Sequence, residues 1–277
     1  MPILSGPGTR SEGAMDLGIR GRVALVGGAS SGLGRATADR LAAEGCRLCI
    51  WARSSEALER TADELRERHG TEVIVVAADA TDPSAAETVA KHALDGYGVV
   101  DIVILNAGGP PTADPAQTTP DGWALAFQLL SVTPIQLASR LLPGMRERGW
   151  GRVVSILTSG VRQPIPELVY SNAARSALMA WMKTTAHAVA GEGVTMNGVL
   201  PGRLSTPRIE FLDYERARRT GQTLEAVRAE QIAAIPVGRY GHPEELASFV
   251  AYVCSEPAAY QTGTFTAVDG GLIAGLP

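Results

Sequence analysis

Seven short apolar runs punctuate the chain, at Val23–Gly27, Leu48–Trp51, Val73–Ala77, Ile102–Leu105, Val153–Leu157, Val194–Leu200 and Phe265–Val268. Their length and β-branched content predict strands buried on both faces. Between them lie amphipathic stretches at Arg35–Glu44, Ser55–Arg68, Ala85–Leu94, Gly122–Arg146 and Ala173–Val189, each long enough for a crossover helix. Strands that alternate with helices run parallel, because every connection crosses over and lays its helix on the sheet. The pattern predicts an α/β fold with a doubly wound parallel seven-stranded sheet.

At 277 residues, 45% of them hydrophobic, the chain can bury one such core as a single domain. Residues 1–17 carry Pro2, Gly6, Pro7, Gly8 and Gly13 among charges and no apolar run, which reads as a flexible extension before a domain at 18–277. Its 25 basic and 29 acidic residues are interspersed, so no nucleic-acid or membrane surface is expected. Apolar runs fall short of the roughly 20 residues that span a bilayer, and a cytoplasmic protein is expected. No metal site is expected either. Cys46 and Cys49 sit at an odd separation in a strand and so face opposite ways, Cys254 stands alone, and His69, His92, His187 and His242 lack ligand spacing.

The first strand runs directly into Gly28-Ala29-Ser30-Ser31-Gly32-Leu33-Gly34 and then a helix. Glycines at a strand-to-helix turn let backbone approach a pyrophosphate at a helix N-terminus, and Ser30 and Ser31 add hydroxyl donors. After the second strand, Arg53 stands where a carboxylate would grip ribose hydroxyls, which favours a 2′-phosphate and hence NADP. Asp82 reads as the N-cap of the third helix.

The GxxxGxG spacing resembles the short-chain dehydrogenase/reductase family, with Gly27 in place of the usual threonine before it. The resemblance extends over most of residues 20–272 and implies a Rossmann fold. It assigns Asp79, beside Ala80, to the adenine, and Asn106-Ala107-Gly108 to the family's NNAG motif along the adenosine ribose. Pro201, Gly202 and Thr206 resemble its PGxxxT segment near the nicotinamide carboxamide, and Val268-Asp269-Gly270-Gly271 its final strand.

The family's four catalytic positions are all changed. Its asparagine falls on Leu130, its serine on Thr158 with Ser159 as neighbour, and its tyrosine and lysine on Ser171 and Arg175. An offset register would make Tyr170 the acid and put Ala174 at the lysine position. A phenol near pKa 10 beside an ammonium suits proton donation, whereas a serine hydroxyl is weaker and shorter, and arginine's planar fork differs from lysine's point charge. Arg175 is expected to hold the cofactor ribose as well.

The resemblance further implies a substrate lid at about 203–235, carrying Arg208, Phe211, Tyr214, Arg216, Arg218 and Arg219. The Glu215–Arg219 run reads as a solvated helix face, with attraction of an acidic carrier as the alternative. Gln163, Pro164, Pro166, Leu168 and Val169 are expected at the pocket mouth. Leu141, Leu178, Met179, Trp181 and Met182 are candidates for a homodimer or homotetramer surface. The reading favours an NADP(H)-dependent interconversion of a ketone or 3-oxoacyl group and its alcohol. A nucleotide-binding protein without hydride chemistry, or a lyase or isomerase on the same scaffold, is the alternative.

Overall fold

The structure, a computed structural model, describes residues 15–275. Its seven strands are β1 (Val23–Gly27), β2 (Arg47–Ala52), β3 (Val73–Ala77), β4 (Ile102–Leu105), β5 (Gly151–Ile156), β6 (Val194–Pro201) and β7 (Phe265–Val268). They form one parallel sheet in the order β3-β2-β1-β4-β5-β6-β7. The order reverses beside β1 and β4, and that switch point opens a crevice at the strands' C-terminal ends. Four expected strands, β1, β3, β4 and β7, match in both bounds; β1 and β4 are buried throughout, as a continuous apolar run implies, whereas β3 and β7 lie at the sheet edges and are partly exposed.

The helices are α1 (Gly32–Ala43), α2 (Ser55–His69), α3 (Ala85–Tyr97), α4 (Pro120–Phe127), α5 (Thr133–Glu147), α6 (Val169–Val189), α7 (Pro207–Thr220), α8 (Leu224–Ala233) and α9 (Pro243–Val253). They sandwich the sheet between two apolar layers, one including Leu25, Cys49, Val103 and Met182, the other Ala24, Ile50, Ile104 and Leu246. Cys46 and Cys49 fall in opposite layers, as their odd separation requires. Among the described residues no cluster of metal-ligating side chains occurs.

The stretch expected as one helix over Gly122–Arg146 is instead α4 and α5 joined by a π-turn at Gln128–Val132. Pro134 has no N–H to offer the carbonyl of Leu130, so the turn widens. The whole run Pro120–Glu147 has the length and apolar character to cross a membrane, yet half of its apolar window is buried within the fold.

Three further corrections concern termini and surfaces. Residues 1–14 of the expected extension lie outside the described residues, and Leu17 already belongs to the core, its carbonyl accepting from Glu256 N at 2.9 Å. The N-cap of α3 is Ser84, and Asp82 instead holds Ser84 through both its N–H and its hydroxyl. Those bonds lower the Asp82 pKa. Leu141, Leu178 and Met182, expected on an assembly surface, are buried in the monomer's core.

Candidate active site

The nucleotide side of the crevice is shaped by backbone. Gly28 has φ +61°, and a Cβ there would come within 2.6 Å of Asn106 Nδ2. A Cβ on Gly34 would overlap the Gly28 carbonyl, so this glycine sets how closely α1 approaches β1. Asn106 stitches the two strand ends by donating to the Gly27 carbonyl at 3.1 Å. Gly27 itself faces the Trp51 indole, leaving no room for the larger residue expected there.

Ser31 is the N-cap of α1 but its side chain accepts no bond from the helix, and the first turn holds no acidic residue. The N-terminal N–H groups and the helix dipole are therefore left to an incoming anion. Thr206 caps α7, accepting from Ile209 N at 3.4 Å, and lies against Gly32, so the N-termini of α1 and α7 meet across the crevice. Pro201 and Gly202 end β6, where a Cβ on Gly202 would strike Asp269. Arg53 is exposed at the end of β2 and, among the described residues, makes no ion pair or hydrogen bond. Gly108 faces open space, also without a neighbour within 4 Å of an added Cβ. Asp79 spends one oxygen on Thr81, and the Ala80 carbonyl accepts from Thr133 Oγ1 at 2.8 Å.

The catalytic side is organised by the first two turns of α6. Arg175 is buried and spans the ends of two strands, donating to the Ile156 carbonyl at 2.7 Å and the Ala107 carbonyl at 3.3 Å. No carboxylate among the described residues pairs with it. Burial foremost, then the nearby Arg208, lowers its pKa to about 10. Ser171, one turn earlier on the same face, is also buried, and its hydroxyl makes no hydrogen bond within the described residues. Thr158 caps the short 3₁₀ turn Ser159–Val161 by accepting from Gly160 N at 3.2 Å, which leaves its own O–H proton to donate elsewhere. Ser159 is buried beside it.

Tyr170 lies about 100° away round α6 and turns to α4. Its hydroxyl accepts from Thr119 N at 2.8 Å, and its ring meets Trp123 edge-on with centroids 4.8 Å apart. Tyr170, Ala174, Leu130 and Ala126 form a small apolar cluster. The offset register thus describes a packing face, and the Ser171 and Arg175 register describes the face with Arg175 on the strand ends. Leu130 occupies the π-turn with no polar atom to offer.

A family model described as enoyl-(acyl carrier protein) reductase matches residues 28–273. The chain belongs to the short-chain dehydrogenase/reductase family. It is 32% identical over 253 residues to a ketoacyl reductase of the monensin polyketide synthase from Streptomyces virginiae, covering 91% of this chain and 97% of that protein. It is 31% identical over 257 residues to the 3-oxoacyl-(acyl-carrier-protein) reductase of Vibrio cholerae, covering 92% and 99%. Among solved structures, L-sorbose reductase from Gluconobacter frateurii with NADPH and L-sorbose superposes with a TM-score of 0.90 at 32% identity, over 95% of this chain and 100% of that one. An actinorhodin polyketide ketoreductase with NADPH gives 0.87 at 31% identity, over 91% and 97%. The chain is accordingly an oxidoreductase that works between ketone and alcohol with a nicotinamide cofactor.

In this short-chain reductase the segment expected as a substrate lid, about 203–235, contains α7 and α8. A cavity of about 430 Å³ is lined by Thr112–Pro115, Pro166, Glu167 and α7 residues from Leu212 to Arg219. Pro166 is the expected mouth residue found there, whereas Gln163 is exposed away from that lining. The three lid cations that line this cavity are paired: Arg216 with Glu230 at 2.7 Å, Arg218 with Glu215 at 3.0 Å and Arg219 with Glu167 at 3.4 Å. Sequence reasoning missed Trp123 and Thr119, which fix Tyr170 from about fifty residues away. It placed Arg208 in the lid segment but not at a helix start, although the residue follows Thr206-Pro207.

Proposed function

We propose that the protein is an NADP(H)-dependent reductase of a ketone or 3-oxoacyl group. The observation that carries the cofactor choice is Arg53, an unpaired cation at the end of β2 where a carboxylate would otherwise serve the ribose of NAD. The cradle fits such a dinucleotide: Gly28, Ser30, Ser31, Gly32, Leu33 and Gly34 for the pyrophosphate, Asp79, Ala80 and Asn106 to Gly108 for the adenosine side, and Pro201, Gly202 and Thr206 for the nicotinamide side. NADPH, when bound, supplies the hydride to the carbonyl carbon.

Thr158 then polarises the carbonyl by donating its free O–H proton to the oxygen. As the C=O π pair moves onto oxygen, Ser171 Oγ–H passes a proton to it. The Arg175 guanidinium stabilises the seryl oxygen until a proton from solvent restores the hydroxyl. Tyr170 serves as a packing residue in this reading. A homodimer or homotetramer is part of the same proposal, supported by Leu125, Phe127 and Val132, which stay exposed along α4 and the π-turn after it. Cytoplasmic location is likewise a proposal, drawn from the family's character.

The test titrates NADPH against NADH by cofactor fluorescence and then follows NADPH oxidation over a panel of ketones and 3-oxoacyl thioesters. NADPH bound at least tenfold tighter, with turnover on some members, is the expected result. Equal or tighter NADH binding would overturn the role of Arg53. NADPH binding without turnover on any ketone would favour a nucleotide-binding protein that has lost hydride chemistry.

A further inference from the structure

Arg208 is the second residue of α7, where a cation opposes the helix dipole. It is partly buried, and burial lowers its pKa. It donates to the Pro110 carbonyl at 2.9 Å and lies over the Phe211 ring with 5.5 Å to the centroid. No carboxylate among the described residues pairs with it. Gly109 makes room for it, since a Cβ there would come within 2.7 Å of Arg208 Nη2.

Arg175 and Arg208 therefore hold the two ends of the segment Ala107 to Pro110, Arg175 at Ala107 and Arg208 at Gly109 and Pro110. Two like charges converge with the α7 N-terminus, and no carboxylate among the described residues neutralises them. Such an arrangement is costly unless an anion completes it. Leu212, one turn after Arg208 on the same helix face, lines the cavity beside α7, so Arg208 adjoins a lining residue without itself belonging to the lining. The other lid arginines there already have carboxylate partners.

We infer that Arg208 is an anion clamp for the substrate, so that the preferred carbonyl compound carries a carboxylate or phosphate within reach of its carbonyl. The inference rests on the reductase reading above. The α1 N-terminus supplies donors for the cofactor's pyrophosphate, whereas Arg208 sits beyond Gly108, toward the lid. Its fork matches an oxyanion bidentately, and one of its five N–H groups is spent on Pro110.

The test uses the protein–NADP⁺ complex, in which no hydride is available, so ketone binding is read apart from turnover. Acetoacetate and its neutral methyl ester are titrated into wild type, Arg208→Gln and Arg208→Lys. Acetoacetate should bind at least tenfold tighter than the ester in wild type, Arg208→Gln should erase that preference, and Arg208→Lys should keep part of it. A preference that is absent, or that survives Arg208→Gln, overturns the clamp. So does Arg208→Gln weakening NADP⁺ itself tenfold while the two ketones bind as before, which assigns the cation to the cofactor's phosphates. Failure of the wild type to bind NADP⁺ sinks the reductase reading instead, and the clamp with it.

Discussion

The two flanks of the crevice treat their polar groups in opposite ways. On the flank built from β1, β2 and β4, donors are left open: the α1 N-terminus lacks a side-chain cap and Arg53 has no partner among the described residues. On the flank built from β5 and α6, most polar groups are tied down within the protein, Arg175 on two carbonyls and Tyr170 on Thr119. Next to them, Leu130, Ala126 and Ala174 form a dry patch. Binding a dinucleotide needs preset donors, and the first flank keeps them. Moving a proton needs exchangeable ones, and on the second flank the hydroxyls of Thr158, Ser159 and Ser171 donate to no group among the described residues.

The comparison breaks first at Arg175. Replacing it with Met removes the buried charge and its desolvation cost but also two charge-assisted hydrogen bonds. These offset to within about 2 kcal/mol of stability. Turnover should nevertheless fall at least roughly 100-fold, the scale of general acid–base and electrostatic assistance. Denaturant unfolding and kcat measured on one preparation separate the two effects. The pH dependence has a definite sign. Burial holds the Arg175 pKa down at about 10, so the charge disfavours folding below that pH and this cost fades as pH rises through it. Activity that needs the cation runs the other way and should decline as pH rises through about 10. A flat profile there, in a protein still folded, would remove Arg175 from the proton path.

Leu130 is next. Leu130→Asn restores the residue type that short-chain reductases usually carry at this place but buries an amide among Tyr170, Ala126 and Ala174. The expected cost is about 2–4 kcal/mol in unfolding free energy, with no gain in kcat. A variant of unchanged stability with kcat raised tenfold would show that the patch is wet and the relay intact.

The nucleotide flank was legible in the sequence because it is made by backbone. Gly28, Gly32 and Gly34 have few other reasons to fall between a strand and a helix, and Asn106 and Thr206 follow their strands at recognisable offsets. The catalytic flank depends on how α6 is rotated at its start. Ser171 and Tyr170 are adjacent, and the contacts that decide between them come from Thr119 and Trp123 on another helix. No local pattern carries that information. The helix α7 within the expected lid segment was hidden for a different reason: it buries only Asp213 and Ala217, so it shows no apolar stripe. Its start signal, Thr206-Pro207, was present, as was Pro243-Glu244-Glu245 for α9, which escaped the list of expected helices.

A smaller effect tests the open flank. Arg53→Ala should weaken NADPH by about 10- to 100-fold, the worth of one or two hydrogen bonds to a phosphate, and leave NADH nearly unchanged. Paired fluorescence titrations at fixed ionic strength give the ratio directly. If both cofactors weaken alike, Arg53 contributes general positive field and does not discriminate between them.

The smallest effect on turnover belongs to Tyr170, and it distinguishes a packing phenol from a hidden acid. Tyr170→Phe keeps the edge-on contact with Trp123 and the apolar cluster but withdraws the acceptor from Thr119 N–H, at the N-cap of α4. One backbone donor then loses its partner, which should cost about 1–2 kcal/mol. The loss concerns the α4 start, so it should appear as faster amide exchange at Thr119 and a lower unfolding midpoint, with kcat within about twofold because no proton in the proposed path passes through the phenol. A fall in kcat of roughly 100-fold at unchanged NADPH affinity would mean that α6 rotates when substrate binds, bringing Tyr170 into the crevice and Ser171 out of it. The two flanks would then differ in the unliganded protein alone.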